Sequence, residues 1–253
     1  MTIPLLRPLA GPIAFAARGA VQLALPACCP ACRSLTDEHA PLCALCARTL
    51  DAIDEGCPRC GLPLPPVERP PPRPPPRCLG CLRAPPAWES AHAPFAFTGE
   101  LQSAIRRWKL GPDPSVTRPL AQLLAPAIGR FAACDAFVPV PLHARRLRWR
   151  GFNQASVLIR SARSRAPPPL PAVEELLDRT RDTPPQSTLD AAARRANVRD
   201  AFAVPRPERV RGRYLCLVDD VLTTGATAAA CARALRRAGA RRVDVLTLAR
   251  ALP

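Results

Sequence analysis

The chain has one lysine, one tyrosine, one methionine and three histidines in 253 residues. Aromatic residues make up only 4% of it, which argues against an extensive platform for stacking single-stranded bases. With lysine confined to Lys109, the formal net charge of +16 is carried almost wholly by arginine. Arginine is always charged and grips phosphates bidentately, so an anionic partner is one reading, either nucleic acid or a phosphorylated substrate. A compositional bias toward Arg, Ala and Pro is the other. No G-x-x-x-x-G-K-[ST] is present, which excludes a P-loop, and no G-x-G-x-x-G marks a dinucleotide site. Long apolar runs are also missing. The stretch 9–25 is interrupted by Arg18 and is too short to span a membrane. Leu25-Pro26-Ala27-Cys28 is a poor lipoprotein box because of Pro26 and the weak apolar region before it. The segment 13–25 is expected to be an amphipathic helix packed on the domain after it, and the protein is expected to be cytoplasmic.

Hydrophobic residues are 48% of the chain, enough for a real core built from alanine, leucine and valine. The length suits one larger domain plus a small module, and 1–85 and 86–253 are the expected division. Nine of the twelve cysteines fall in the first part. They form four knuckles, Cys29-x-x-Cys32, Cys43-x-x-Cys46, Cys57-x-x-Cys60 and Cys78-x-x-Cys81, with Cys28 as an extra neighbour. One knuckle aims two thiolates at one ion, and two knuckles close a tetrahedral four-cysteine site. Two structural Zn2+ ions are therefore expected. The sequential pairing is the simplest, Cys29, Cys32, Cys43 and Cys46 on one ion and Cys57, Cys60, Cys78 and Cys81 on the other. An interleaved pairing, or Cys28 in place of Cys29, stays open. A disulfide framework would need an oxidising compartment. The proline-rich stretch 63–76 is expected to be a tolerated loop insertion, extended at best.

From Trp88 onward the pattern alternates. Strands are expected at 95–97, 135–140, 214–218 and 241–249, and helices at 99–110, 120–130 and 227–238. Such alternation predicts a mostly parallel sheet flanked by helices, with ligands at the carboxyl ends of its strands. A helix is expected after the arginine cluster 145–150. One run stands out: Cys216-Leu217-Val218-Asp219-Asp220-Val221-Leu222-Thr223-Thr224-Gly225-Ala226-Thr227. A buried strand ends in two carboxylates and hands over to a small hydroxylated loop that opens a helix. Backbone N–H groups, the helix dipole and threonine hydroxyls favour a phosphate there. Gly225 permits close approach of the backbone. The carboxylates can accept from sugar hydroxyls. The same features also occur where an ordinary helix begins.

This run resembles the 5-phosphoribosyl diphosphate (PRPP) motif of type I phosphoribosyltransferases. The resemblance implies that Asp219 and Asp220 hold the ribose hydroxyls and are the catalytic acids. It implies that Thr223, Thr224, Gly225, Ala226 and Thr227 cradle the 5′-phosphate, with Mg2+ on the ligand. Further segments are similar, in order, to one family: Trp108-Lys109-Leu110-Gly111, Val138-Pro139-Val140-Pro141-Leu142, Arg150-Gly151-Phe152-Asn153-Gln154, and Leu177-Asp178-Arg179 with Gln186, Arg195 and Asn197. With the cysteine knuckles they resemble the ComF family, an N-terminal double zinc ribbon fused to a type I phosphoribosyltransferase domain. That resemblance implies a place in natural competence, handling incoming single-stranded DNA; the alternative is a non-catalytic PRPP- or 5′-phosphate-binding adaptor that grips single-stranded DNA or a helicase partner. It places the diphosphate loop at 141–147, with Arg145 and Arg146 as PRPP-binding clamps and Arg148 and Arg150 as further candidates. Residues 160–200 would form a flexible hood. Of His39, His92 and His143, only His143 falls near the expected cleft. The acceptor of any phosphoribosyl group is not legible.

Overall fold

The structure, a computed structural model, describes residues 28–37, 40–65, 76–111, 113–182 and 200–253. The expected helix at 13–25, His39, most of the proline-rich insert, and Gln186, Arg195 and Asn197 lie outside them.

A parallel sheet organises the larger part of the molecule. Its strands are β1 (Ala91–His92), β2 (Phe95–Ala96), β3 (Ala136–Pro139), β4 (Ala172–Val173), β7 (Tyr214–Leu222) and β8 (Arg242–Arg250). The order is β1-β8-β7-β3-β4, with β2 also paired to β8. Val138 lies beside Leu217, and Leu217 beside Val245, so the longest apolar strands form its centre. A separate antiparallel pair joins β5 (Asp178–Arg179) to β6 (Phe202–Ala203).

Side chains alternate across the sheet with the two-residue period of a strand. Cys216, Val218, Leu246 and Leu248 enter one core with α3 (Gly99–Trp108), α4 (Pro114–Ile128) and α6 (Gln154–Arg163). Leu215, Leu217, Val243 and Val245 enter the other with α7 (Ala226–Arg237). Both faces are covered, which is why β7 reads as a continuous apolar run rather than an alternating one.

Three boundaries differ from expectation. Helix α4 begins at Pro114, six residues before the expected start, because Asp113 caps it: its carboxylate accepts from Ser115 N–H at 2.8 Å. Strand β7 continues through both aspartates to Leu222. The expected loop 141–147 is coil only to His143. From there the arginines themselves form α5 (Ala144–Arg150), closed by Gly151 at φ +81°.

The N-terminal part lies along the β1/β2 edge. Ile53 N–H donates to Pro94 O, Ala91 N–H to Pro58 O, and Ala96 N–H to Asp51 O. Two short helices, α1 (Ala44–Ala47) and α2 (Leu79–Arg83), each open at a cysteine. A cavity of about 420 Å3 sits between this part and the amino ends of β7 and β8, lined by Glu55, His92, Arg130, Tyr214, Arg242 and Asp244. It is at the opposite end of β7 from Asp219 and Asp220.

Candidate functional site

The carboxyl ends of β3 and β7 carry the features singled out in the sequence. Alternation turns the two acids toward opposite faces of the sheet. Asp220 is buried and meets Lys109 Nζ at 2.7 Å. The chain's one lysine is held there by its neighbour. Trp108 is fully buried, donates to Thr117 Oγ1 at 2.8 Å, and packs its ring 5.9 Å from that of Phe152. Lys109 is therefore fixed at the C-cap of α3.

Asp219 is half-buried on the α7 side. Burial, then the adjacent Asp220 carboxylate, push its carboxyl up to about 7. Asp220 N–H donates to Asp219 Oδ1 at 2.9 Å, and Val221 N–H donates to Asp220 Oδ1 at 2.8 Å.

The loop after β7 turns directly into α7. Gly225 is the N-cap at φ +76°, a left-handed conformation that disfavours any side chain. A Cβ there would also lie 2.7 Å from the Trp88 ring. Thr224 Oγ1 accepts from Ala226 N–H at 3.4 Å, and the first turn of α7 carries no acidic residue. An anion is not opposed at this terminus.

Arginines approach from two elements, α5 and β5. Burial foremost lowers the pKa of Arg150, with Arg146 repelling it and Asp220 and Asp219 attracting it. Burial likewise lowers that of Arg179 on β5, followed by repulsion from Arg146. Arg146 thus repels both Arg150 and Arg179 near the acids, a repulsion that a polyanion would relieve. Arg145 does not join them. Its side chain is 80% exposed and meets Asp182 at 3.3 Å.

Gln154 is only 4% exposed, and its Oε1 accepts from Arg150 Nη1 at 2.8 Å. Its Nε2, and Arg150 Nε, are buried without a hydrogen-bond partner. Asn153 is structural: it caps α6 through Ser156 N–H and donates to Val140 O at 3.1 Å. Lys109 and Arg179 stand in the family-like segments, yet the sequence assigns neither a role. The signal for Lys109 was its solitude in an arginine-biased chain.

The cysteine knuckles pair sequentially. Cys29, Cys32, Cys43 and Cys46 place all four Sγ atoms within 4.8 Å of one another, and so do Cys57, Cys60, Cys78 and Cys81. Cys28 belongs to neither group. Zn–S bonds of about 2.3 Å in a tetrahedron set sulfurs about 3.8 Å apart. The Cys32–Cys43 and Cys60–Cys78 sulfurs are 3.6 Å apart, which fits. The thiol environments are divided. A hydrogen bond with Ser34 leads the fall of Cys32 to about 6, while burial leads the rise of Cys46. In the second group burial pushes Cys60 up to about 11 and raises Cys81 further. Burial also opposes ionisation of Cys57, but N–H groups of Cys78, Arg59 and Cys60 outweigh it and bring the thiol to about 7. A divalent cation lets all four sulfurs ionise together. Both groups are compatible with structural zinc.

No protein-family model matches the chain. The "DNA utilization protein YhgH" of Escherichia coli K12 is 33% identical over 244 residues, covering 91% of this chain and all of that protein. "Competence protein F" of Haemophilus influenzae is 32% identical over 182 residues, 69% of this chain and 78% of that one. The chain belongs to the ComF family. Among solved structures, the B. subtilis glutamine phosphoribosylpyrophosphate amidotransferase aligns with 51% of this chain and 25% of its own at 24% identity. Its TM-score of 0.31 is too low to argue from. The family's two-part architecture, four-cysteine groups before a mostly parallel sheet flanked by helices, is present in this chain. No helix among the described residues is long and apolar enough to cross a membrane.

Proposed function

We propose that this protein binds a phosphoribosyl diphosphate, with Mg2+, at the carboxyl ends of β3 and β7, and serves the handling of incoming DNA in the cytoplasm. The unpartnered buried donors carry the reading. Arg150 Nε and Gln154 Nε2 are desolvated without acceptors, beside arginines that repel one another. Leaving such donors unmade costs about 1–3 kcal/mol each, which a diphosphate's oxygens would recover. In this reading Thr223, Thr224, Gly225, Ala226 and Thr227 receive the 5′-phosphate. Asp219 and Asp220 accept from the ribose hydroxyls, with Lys109 holding the Asp220 carboxylate in place. Mg2+ would neutralise diphosphate charge while sharing the ligand's oxygens. The names of the relatives, DNA utilization and competence, support the setting. Cysteines grouped in fours for a metal suit a reducing compartment.

The test is calorimetric titration with PRPP and Mg2+. Wild type binds in the micromolar range, and Gln154→Leu and Asp219→Asn each weaken binding at least tenfold. Wild-type protein that takes up no PRPP overturns the reading.

One observation favours a single-strand-binding role on the same molecule. Trp149 is 74% exposed on α5, between Arg148 and Arg150, and no residue of that helix is buried. An exposed indole among guanidiniums is a local stacking site with phosphate clamps, smaller than the extensive platform the composition excludes. Trp149→Ala should weaken oligothymidylate binding about tenfold and leave PRPP affinity unchanged. Equal DNA affinity in the variant removes α5 from the interface.

A further inference from the structure

The second cysteine cluster is tied to the phosphate loop from two sides, by the hydrogen bonds of one guanidinium and by one indole that packs against Gly225. Arg250 ends β8 and is 9% exposed. Its Nε donates to Cys60 O at 2.9 Å. Its Nη1 donates to Leu222 O at 2.7 Å, Thr223 O at 2.5 Å and Ala251 O at 2.7 Å. One guanidinium therefore joins the carbonyl of a cluster cysteine to the first carbonyls of the loop.

The second tie runs through Trp88. Its Nε1 donates to Arg59 O at 2.6 Å, and its ring sits where a Cβ of Gly225 would stand. Arg59 is anchored in turn to Glu89 O at 2.7 Å and Pro86 O at 3.1 Å. Both acceptor carbonyls, Arg59 O and Cys60 O, lie in the Cys57–Cys60 knuckle. Their positions depend on that knuckle being closed. An open knuckle would release both ties, and the buried Arg250 would lose a partner it cannot replace with water.

We propose that the second four-cysteine cluster positions the phosphate loop, with Arg250 and Trp88 as the positioning residues, so that metal bound there and a phosphorylated sugar in the loop stabilise each other. This rests on the loop being the phosphate site. Coupling of two binding events is reciprocal. If the closed knuckle tightens the loop's grip, an occupied loop must raise the knuckle's affinity for metal by the same factor.

The experiment measures the zinc affinity of the full-length, zinc-loaded protein by equilibrium competition with a chromogenic chelator, with and without saturating PRPP. One of the two zinc equivalents should be held about tenfold more tightly with ligand. Arg250→Lys should keep two zinc ions per chain, lose that tightening, and bind PRPP about tenfold more weakly. Trp88→Phe, which removes the Nε1 bond and the indole edge that meets Gly225, should lose part of both. Wild type that binds PRPP without holding either zinc more tightly overturns the coupling and leaves the proposed function standing. So does an Arg250→Lys protein that binds PRPP and tightens on zinc as wild type does. Wild type that binds no PRPP overturns both.

Discussion

The two cysteine clusters have the same ligands and unlike surroundings. Cys29, Ala31, Leu42 and Cys46 of the first join the main core with α3, α4 and α6. The second forms a cluster of its own, in which Cys57, Cys60 and Cys81 are backed by little more than Leu62 and Leu64. They also brace different walls of one cleft. Arg107 on α3 donates to Pro30 O and to Ala31 O inside the first knuckle, two residues before Lys109 reaches Asp220. Arg250 and Trp88 tie the second knuckle to the phosphate loop. The first cluster is a graft onto an existing core, whereas the second substitutes for a core.

Metal removal separates the two most strongly. Structural zinc supplies on the order of 10 kcal/mol to domains that have no other core. Chelation should unfold the second knuckle, seen as full amide exchange between Cys57 and Gly61, while the Cys29–Cys46 region keeps partial protection. Equal protection in both would erase the distinction. Next in size is Gly225→Ala on the loop wall. Left-handed φ and the Trp88 ring together should cost at least about 2 kcal/mol, read as a lower denaturant midpoint together with weaker ligand binding. Lys109→Met tests the other wall. It leaves Asp220 buried without its cation and should cost about 2 kcal/mol. Lys109→Arg should recover most of that stability, and full stability in the methionine variant would show that the wall does not need the pair.

The smallest effect is a pH dependence at Asp219, between the walls. Its carboxyl is raised to about 7 by burial and by Asp220. Sugar hydroxyls donate to the ionised form, so PRPP affinity should climb from about pH 5.5 to 7, by up to about tenfold per unit, and level off above. Stability of the unliganded protein should run the other way. The folded state holds a proton that the unfolded chain gives up near pH 3.9, so this group's contribution is lost as pH rises from about 4 to about 7. Asp219→Asn should flatten both profiles.

Local signals were legible in the sequence because local physics set them. The apolar run into Asp219, the glycine at the turn and the spacing of the knuckles each need only a few neighbouring residues. Helix α5 was not legible as a helix because it buries no residue and so shows no apolar stripe. The early start of α4 was hidden by Pro114 and Pro119, which read as loop until Asp113 is seen to cap the first turn. The partners of Lys109, Arg179 and Arg250 were illegible for another reason. Each contact joins segments far apart in the chain, and arginine is so common here that no single one is conspicuous.

Lysine's scarcity has a practical consequence. The ammonium of Lys109 is the chain's one side-chain amine, and it stands in the cleft against Asp220. Apart from the α-amine, an amine-directed reagent thereby has one address. A fluorophore coupled there reports from inside the site, and its rate of attachment measures how often the Lys109–Asp220 pair opens.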